Sequence, residues 1–373
     1  MKRTFLILIL AAMTFSACGP NVPPGTEPPT TQPPLPLTVT PDSGLTDIPL
    51  PAGYGVRGSW FELYFTNPAS PFASQITGGP DGPLAEAIDS ARLTVDVAIY
   101  SLSLDSIRDA LLRAHDRGVR VRVVMESDNR DRADPQILED AGIPVLGDRR
   151  EGLMHNKFVV LDGSEVWMGS MNFTDSGGYE DNNNLLRIRS VKVAEDYSKE
   201  FEEMFTDDRF GPDIVAETPN PRVTLDGTPI DIYFSPDDNV LNSFLDLISN
   251  AQESIYFMAY SFTSDPLGEA VRERGTNGVI VAGVMDASQV ASNIGTEYDA
   301  FNQFGLEVHK DGIPGLMHHK VMIIDEEIVV LGSYNFTNSA ETRNDENLIV
   351  VYNAEFAAQF IAEFQRVYSQ VEQ

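Results

Sequence analysis

The 373-residue chain contains a single cysteine, Cys18. That count excludes a disulfide framework and a zinc site built from cysteines. Basic residues are also scarce: 26 Lys and Arg stand against 56 Asp and Glu, a formal net charge of −30. A surface this negative repels nucleic acid and anionic lipid at long range, so an anionic substrate has to be met by local positive charge. No apolar run reaches the roughly 20 residues that a membrane-spanning helix needs, which excludes a polytopic membrane protein. What remains is ordinary globular material, 42% hydrophobic and 22% charged, so disorder throughout and collagen-like structure are excluded. The length suits two domains.

The first 17 residues read as a secretory signal peptide. Lys2 and Arg3 precede the apolar run Phe5 to Met13, and the small residues Ser16 and Ala17 follow. The stretch Phe15-Ser16-Ala17-Cys18 resembles a bacterial lipobox, which implies lipidation of Cys18 as the first mature residue. Phe15 stands where the usual Leu would. Residues 18–55 are expected to be a tether: eleven of the 24 prolines lie between Gly19 and Pro51, and proline excludes helix and sheet interiors. The expected location is the bacterial envelope, anchored through Cys18 and facing the periplasm or the exterior.

The remainder repeats itself at about 160 residues. The strand-like run Leu93 to Ser101 corresponds to Glu253 to Ser261, and both end in Tyr-Ser. A helical pattern follows in each copy (Leu104 to Arg117, Pro266 to Arg274), then a second apolar strand (Val119 to Met125, Val279 to Met285). Strands alternating with helices predict two similar α/β domains with mixed, largely parallel sheets flanked by helices, over 56–217 and 230–373. A turn-rich stretch, 218–229, is the expected linker.

The repeat is strongest over Gly152 to Asn184 and Gly315 to Asn347, which align without gaps with 14 of 33 positions identical. Both copies carry H-x-K-x4-D: His155, Lys157 and Asp162, then His318, Lys320 and Asp325. Both follow with G-S-x-N-F-T, which supplies Ser170 and Asn172, then Ser333 and Asn335. His155 and Lys157 are alternate residues of an extended segment and share a face, as do His318 and Lys320. An imidazole, an ammonium, a hydroxyl and a carboxamide gathered in this way suit a phosphate. Asp162 and Asp325 read as turn residues and receive no catalytic role.

These motifs resemble the phospholipase D superfamily, whose signature is the duplicated H-x-K-x4-D. The second copy is especially similar to the compact bacterial endonuclease branch. The resemblance covers Ser59 to Gln373 and implies that the halves pack about a pseudo-two-fold axis with one active site at their interface. It implies a phosphohistidine intermediate, with one histidine as nucleophile and the other as general acid and base. Lys157, Lys320, Asn172 and Asn335 would bind the non-bridging oxygens, assisted by Ser170 and Ser333. No metal or other cofactor and no obligate protein partner is implied. The position 28 residues after each motif histidine supplies an orienting partner in the family; here it is Asn183 in the first copy and Glu346 in the second. Taken within each copy, this pairs His155 with Asn183 as nucleophile and His318 with Glu346 as acid, since a carboxylate supports an imidazolium. Asn182 or Asn184 could replace Asn183 in a shifted register, and Asp181 would then restore a carboxylate.

The motifs define a phosphodiester and leave the alcohol open. A phospholipid fits the expected anchor and the acidic surface. A nuclease would need Arg149, Arg150, Lys310 and Arg343 to form a basic funnel. A catalytically silent binding protein would have to have lost activity while keeping every motif residue.

Overall fold

The structure is a computed structural model and describes residues 44–213 and 215–371. The expected signal peptide, Cys18 and the proline-rich segment up to residue 43 lie outside the described residues.

The first half builds β1 (Thr46–Leu50), β2 (Gly53–Arg57), β3 (Phe61–Thr66), β4 (Thr94–Ile99), β5 (Arg120–Met125), β6 (Val145–Gly147), β7 (Lys157–Leu161), β8 (Glu165–Gly169) and β9 (Asn184–Arg189). The second builds β10 (Arg222–Leu225), β11 (Thr228–Ser235), β12 (Ser254–Ala259), β13 (Ile280–Met285), β14 (Glu307–Lys310), β15 (Lys320–Ile324), β16 (Ile328–Gly332) and β17 (Glu346–Tyr352). The sheet orders are β1-β2-β3-β9-β8-β7-β4-β5-β6 and β10-β11-β17-β16-β15-β12-β13-β14. Removing β1 makes them the same, so the sequence repeat is a repeat of topology.

The α/β class and the two similar domains hold, but the expected preponderance of parallel pairing does not. Among the described strands only β4-β5-β6 and β12-β13-β14 run parallel. The tight turns β7–β8 and β15–β16 produce antiparallel neighbours, which need no crossover. Asp162 and Asp325 adopt positive φ in these turns. The Asp162 carboxylate accepts the N–H groups of Arg92, Leu93 and Thr94, and Asp325 does the same for Gln252, Glu253 and Ser254. Both aspartates therefore tie a turn to the start of β4 or β12.

Two expected boundaries also move. The segment called a tether to residue 55 already contains β1 and part of β2, and the expected linker 218–229 contains β10. Both β1 and β10 are edge strands, where a residue such as Pro49 is tolerated because one side of the strand needs no donor. The segment 70–80 braces the β1–β2 hairpin: Ser70 donates to the Pro51 carbonyl and Ala52 N–H to the Gly78 carbonyl.

Strand alternation sorts the apolar residues into layers. Phe158 and Val160 of β7 face a central core, while Val159 and Leu161 face an outer one covered by helices of their own half. The central core is common to both halves. It contains the inner faces of both sheets and the two long helices Val191–Phe205 and Ala354–Tyr368. Across it Tyr197 packs edge-on against Phe234 at 5.0 Å, and Phe65 against Phe360 at 5.2 Å.

Candidate active site

Apart from Asp162 and Asp325, which sit in the turns at the far end, the motif residues gather at one end of the sheets. His155 lies just before β7, Ser170 and Asn172 just after β8, and Asn183 just before β9; His318, Ser333, Asn335 and Glu346 hold the matching places in the second half. The two halves interlock at this end. Met154 bridges to Asp345 and Met317 to Asn182 in short parallel pairings. His155 N–H donates to the Asp345 carbonyl and His318 N–H to the Asn182 carbonyl, each at 3.0 Å. Gly152 and Gly315 allow the approach, because a Cβ on either would lie 2.2 Å from the Arg343 carbonyl oxygen or 1.9 Å from that of Glu180.

The side chains cross as well, and this corrects the pairing expected within each copy. Nδ1 of His155 lies 2.7 Å from Oε2 of Glu346, and Nδ1 of His318 lies 2.9 Å from Oδ1 of Asn183. Each histidine is held by the opposite half. The cause is topological: β9 and β17 start beside the interface, so the residue that opens each strand meets the imidazole across it. Asn182 and Asn184 take other partners, Arg366 and Gln370 for the first and His319 for the second. Asp181 accepts the Leu316 N–H.

Ser170 and Ser333 also differ from expectation. Both are fully buried. Ser170 Oγ donates to Asn183 Oδ1 at 2.8 Å while accepting Asn184 N–H, and Ser333 Oγ donates to Glu346 Oε2 at 2.7 Å while accepting Asn347 N–H. These hydroxyls are spent on orienting the histidine partners and have nothing left for a phosphate. Asn172 and Asn335 are half-buried, with carboxamide oxygens that find no partner among the described residues. Lys157 and Lys320 each donate one N–H, 2.7 Å to the carbonyl of His155 or His318, leaving two donors on each ammonium.

A profile described as "Cardiolipin synthase, PLD-like domain" matches the sequence twice, over residues 84–205 and 244–368. The chain belongs to the phospholipase D-like family. A phospholipase D from Rickettsia bellii is 31% identical over 153 residues, 39% of this chain and 76% of that protein. The human mitochondrial cardiolipin hydrolase is 32% identical over 133 residues, 36% of this chain and 52% of its own length. Among solved structures, a phosphatidylserine synthase from Haemophilus influenzae shares the fold over 88% of this chain and 87% of its own, at a TM-score of 0.63 and 14% identity. With both motifs complete, the chain is a phospholipase D-like phosphodiesterase.

Sequence reasoning passed over several groups in this phospholipase D-like site. Tyr100 and Tyr260 stand edge-on to His155 and His318, with ring centroids 5.2 and 4.6 Å apart, and the Lys157 and Lys320 ammoniums lie over the same tyrosine rings at 5.3 and 4.6 Å. Their signal was present as the repeated Tyr-Ser. Glu126 and Asp286, just after β5 and β13, accept the N–H groups of Met154 and Met317 and so hold the approach to each histidine. His319 is buried against Glu363 at 2.8 Å and has no histidine counterpart, since Asn156 fills that place in the first half.

The electrostatics ask for an anion. Burial lowers Lys157 to about 7, with Glu346 opposing. Burial, then repulsion from Lys157, takes Lys320 well below the usual lysine value. His155 falls to about 4 through burial, again against the pull of Glu346. His318, with a neutral partner, falls well below its ordinary value through burial and the charges of Lys320 and Lys157. Groups from both halves depress one another, so they lie close enough to interact, and a phosphate among them would restore the favourable charged state of the lysines.

Proposed function

We propose that the chain hydrolyses phospholipid diesters through a phosphohistidine on His318, with His155 as general acid and base. This reverses the roles expected from sequence, and the crossed pairs His155–Glu346 and His318–Asn183 carry it. The Asn183 amide donates to the Gly177 carbonyl and receives the Ser170 hydroxyl on its oxygen, so that oxygen accepts from His318 Nδ1–H. Nε2 of His318 then carries the lone pair a nucleophile needs. Glu346 supports the imidazolium form of His155, the form that gives up a proton.

In the first step Nε2 of His318 attacks phosphorus, the bond to the leaving alcohol breaks, and His155 gives its Nε2 proton to the departing oxygen. In the second, neutral His155 takes a proton from water, whose oxygen attacks phosphorus as the phosphorus–nitrogen bond breaks. Lys157, Lys320, Asn172 and Asn335 hold the non-bridging oxygens; removing one such donor typically costs about 10²–10³ in rate.

Phospholipid is favoured over nucleic acid because the expected basic funnel is incomplete: Arg149 and Lys310 are engaged elsewhere, and only Arg150 and Arg343 share a pocket. Arg149 pairs with Asp208, Arg150 with Asp213, Arg343 with Glu151, and Lys310 lies over the Tyr298 ring. The names of the Rickettsia and human relatives support the same substrate class. Anchoring in the bacterial envelope through Cys18 belongs to this reading and rests on the sequence of the first 18 residues.

The test uses protein lacking residues 1–18 with EDTA present, assayed against phosphatidylcholine vesicles, plasmid DNA and bis(p-nitrophenyl) phosphate. Lipid and small diester are expected to be cleaved and plasmid spared. Rapid acid quench followed by peptide mapping should find the phosphoryl group on His318; finding it on His155 would reverse the roles again.

A further inference from the structure

The segments that flank the two histidines are not electrically symmetric. Beside His155 the chain runs Asp148-Arg149-Arg150-Glu151-Gly152, against Arg343-Asn344-Asp345 of the other half. The equivalent ground beside His318 is Asp311-Gly312-Ile313-Pro314-Gly315 against Glu180-Asp181-Asn182. Arg150 thus corresponds to Ile313, and Arg343 to Glu180. On the His155 side, Arg150, Glu151, Gly152, Pro212 and Arg343 line an open pocket of about 370 Å³. Gly152 is three residues from His155 and Arg343 three from Glu346, so the backbone that lines the pocket lies within about 10 Å of the backbone of the acid and of its carboxylate partner.

The two guanidiniums are loosely committed. Arg343 reaches Glu151 at 3.3 Å, and Arg150 reaches Asp213 at 3.8 Å. The two acids are 95% and 80% exposed, so each pair is weak and its acid can swing into water. An incoming anion would gain two forked donors at little cost.

We propose that this pocket binds a second phosphate carried on the leaving alcohol, which makes the preferred substrate a phospholipid whose headgroup is itself phosphorylated. The inference rests on the function proposed above, because it takes the leaving group to depart toward His155. A nucleic acid would supply the same phosphate chemistry, but two arginines on a chain of net charge −30 suit one additional phosphate better than a long polyanion.

The experiment compares soluble dihexanoyl phosphatidylglycerol with dihexanoyl phosphatidylglycerophosphate, both yielding dihexanoyl phosphatidic acid. A second pair is a thymidine dinucleotide with and without a phosphate on its leaving nucleoside. The readout is the ratio of kcat/KM within each pair, in the wild type and in Arg150→Gln, Arg343→Gln and Arg343→Lys. The wild type should prefer the phosphorylated lipid by roughly ten- to a hundredfold, the range of a charge-assisted contact. Either glutamine variant should lose most of that ratio through KM, and Arg343→Lys should keep part of it. A wild-type ratio near one, or a ratio indifferent to both glutamine variants, overturns the pocket while bis(p-nitrophenyl) phosphate cleavage leaves the chemistry standing. A preference confined to the dinucleotide pair overturns the lipid assignment. Cleavage of no diester at all would sink the parent reading and this one with it.

Discussion

Glu346 and Asn183 occupy equivalent positions of the repeat, one a carboxylate and the other a neutral carboxamide one methylene shorter. Each also accepts a serine hydroxyl, so the difference passes to the imidazoles as charge with little change in geometry. Glu346→Gln should keep His155 oriented but remove the support for its imidazolium. The expected result is a fall in kcat of about 10²-fold or more on a choline or glycerol leaving group, and a smaller fall on p-nitrophenol, which leaves without a proton. Equal losses on both would show that His155 is not the acid. The lysines supply the pH dependence. Lys157, lowered to about 7 by burial, is charged below that value and neutral above it. kcat/KM, which reports the free enzyme, should therefore fall as pH rises through about 7. Lys157→Arg should make that fall shallower at whatever activity it retains, because Lys320 and His155, also lowered by burial, still lose their protons as pH rises.

The long helices Val191–Phe205 and Ala354–Tyr368 are twins with opposite electrostatics. Glu363 is buried, yet Arg366 and His319 hold its carboxyl below the ordinary value against the effect of burial. Its counterpart Glu200 has Asn156 in place of His319 and Glu203 in place of Arg366. Burial, then the charges of Asp237, Asp345 and Glu203, push Glu200 well above the ordinary carboxylate value. A raised pKa contributes stability that is complete below the unfolded value of about 4.3 and is lost as pH rises toward the folded value. Glu200→Gln should therefore raise Tm at pH 8, with the gain shrinking toward pH 5. Glu363→Gln should lower Tm by leaving Arg366 unpaired, a loss on the order of 3 kcal/mol. Thermal melts of both variants at the two pH values decide the matter; a shift of the same sign in both would refute the charge account. Little of this was legible in the sequence. Spacing along a helix does not say what a glutamate will meet, and only packing between the two sheets shows which neighbour each one has.

At the scale of the molecule, the two halves share a core, cross at the Met154–Asp345 and Asn182–Met317 bridges, and exchange the partners of their histidines. One chain thus holds a whole site. Mixing full-length His155→Ala with His318→Ala should restore no activity beyond the sum of the two, because neither chain has a second intact site to lend. Recovery on mixing would mean that the site is assembled between chains.

The α/β class, the duplication and the motif residues were all legible because they rest on local pattern: apolar alternation, turn residues and a spacing repeated in one chain. The division of labour between the histidines was not. Distance along the chain suggested that each motif keeps its own partner, and the interface exchanged them. Ser170 and Ser333 carry the same lesson, since a hydroxyl beside a phosphate motif looks like a phosphate ligand until burial shows what it already binds. Sequence determined which groups would be present, because covalent order and hydrophobic period act over neighbours. Tertiary structure alone decided which of them touch, because contacts between residues 135 or 191 positions apart depend on how two separately patterned halves close over a common core.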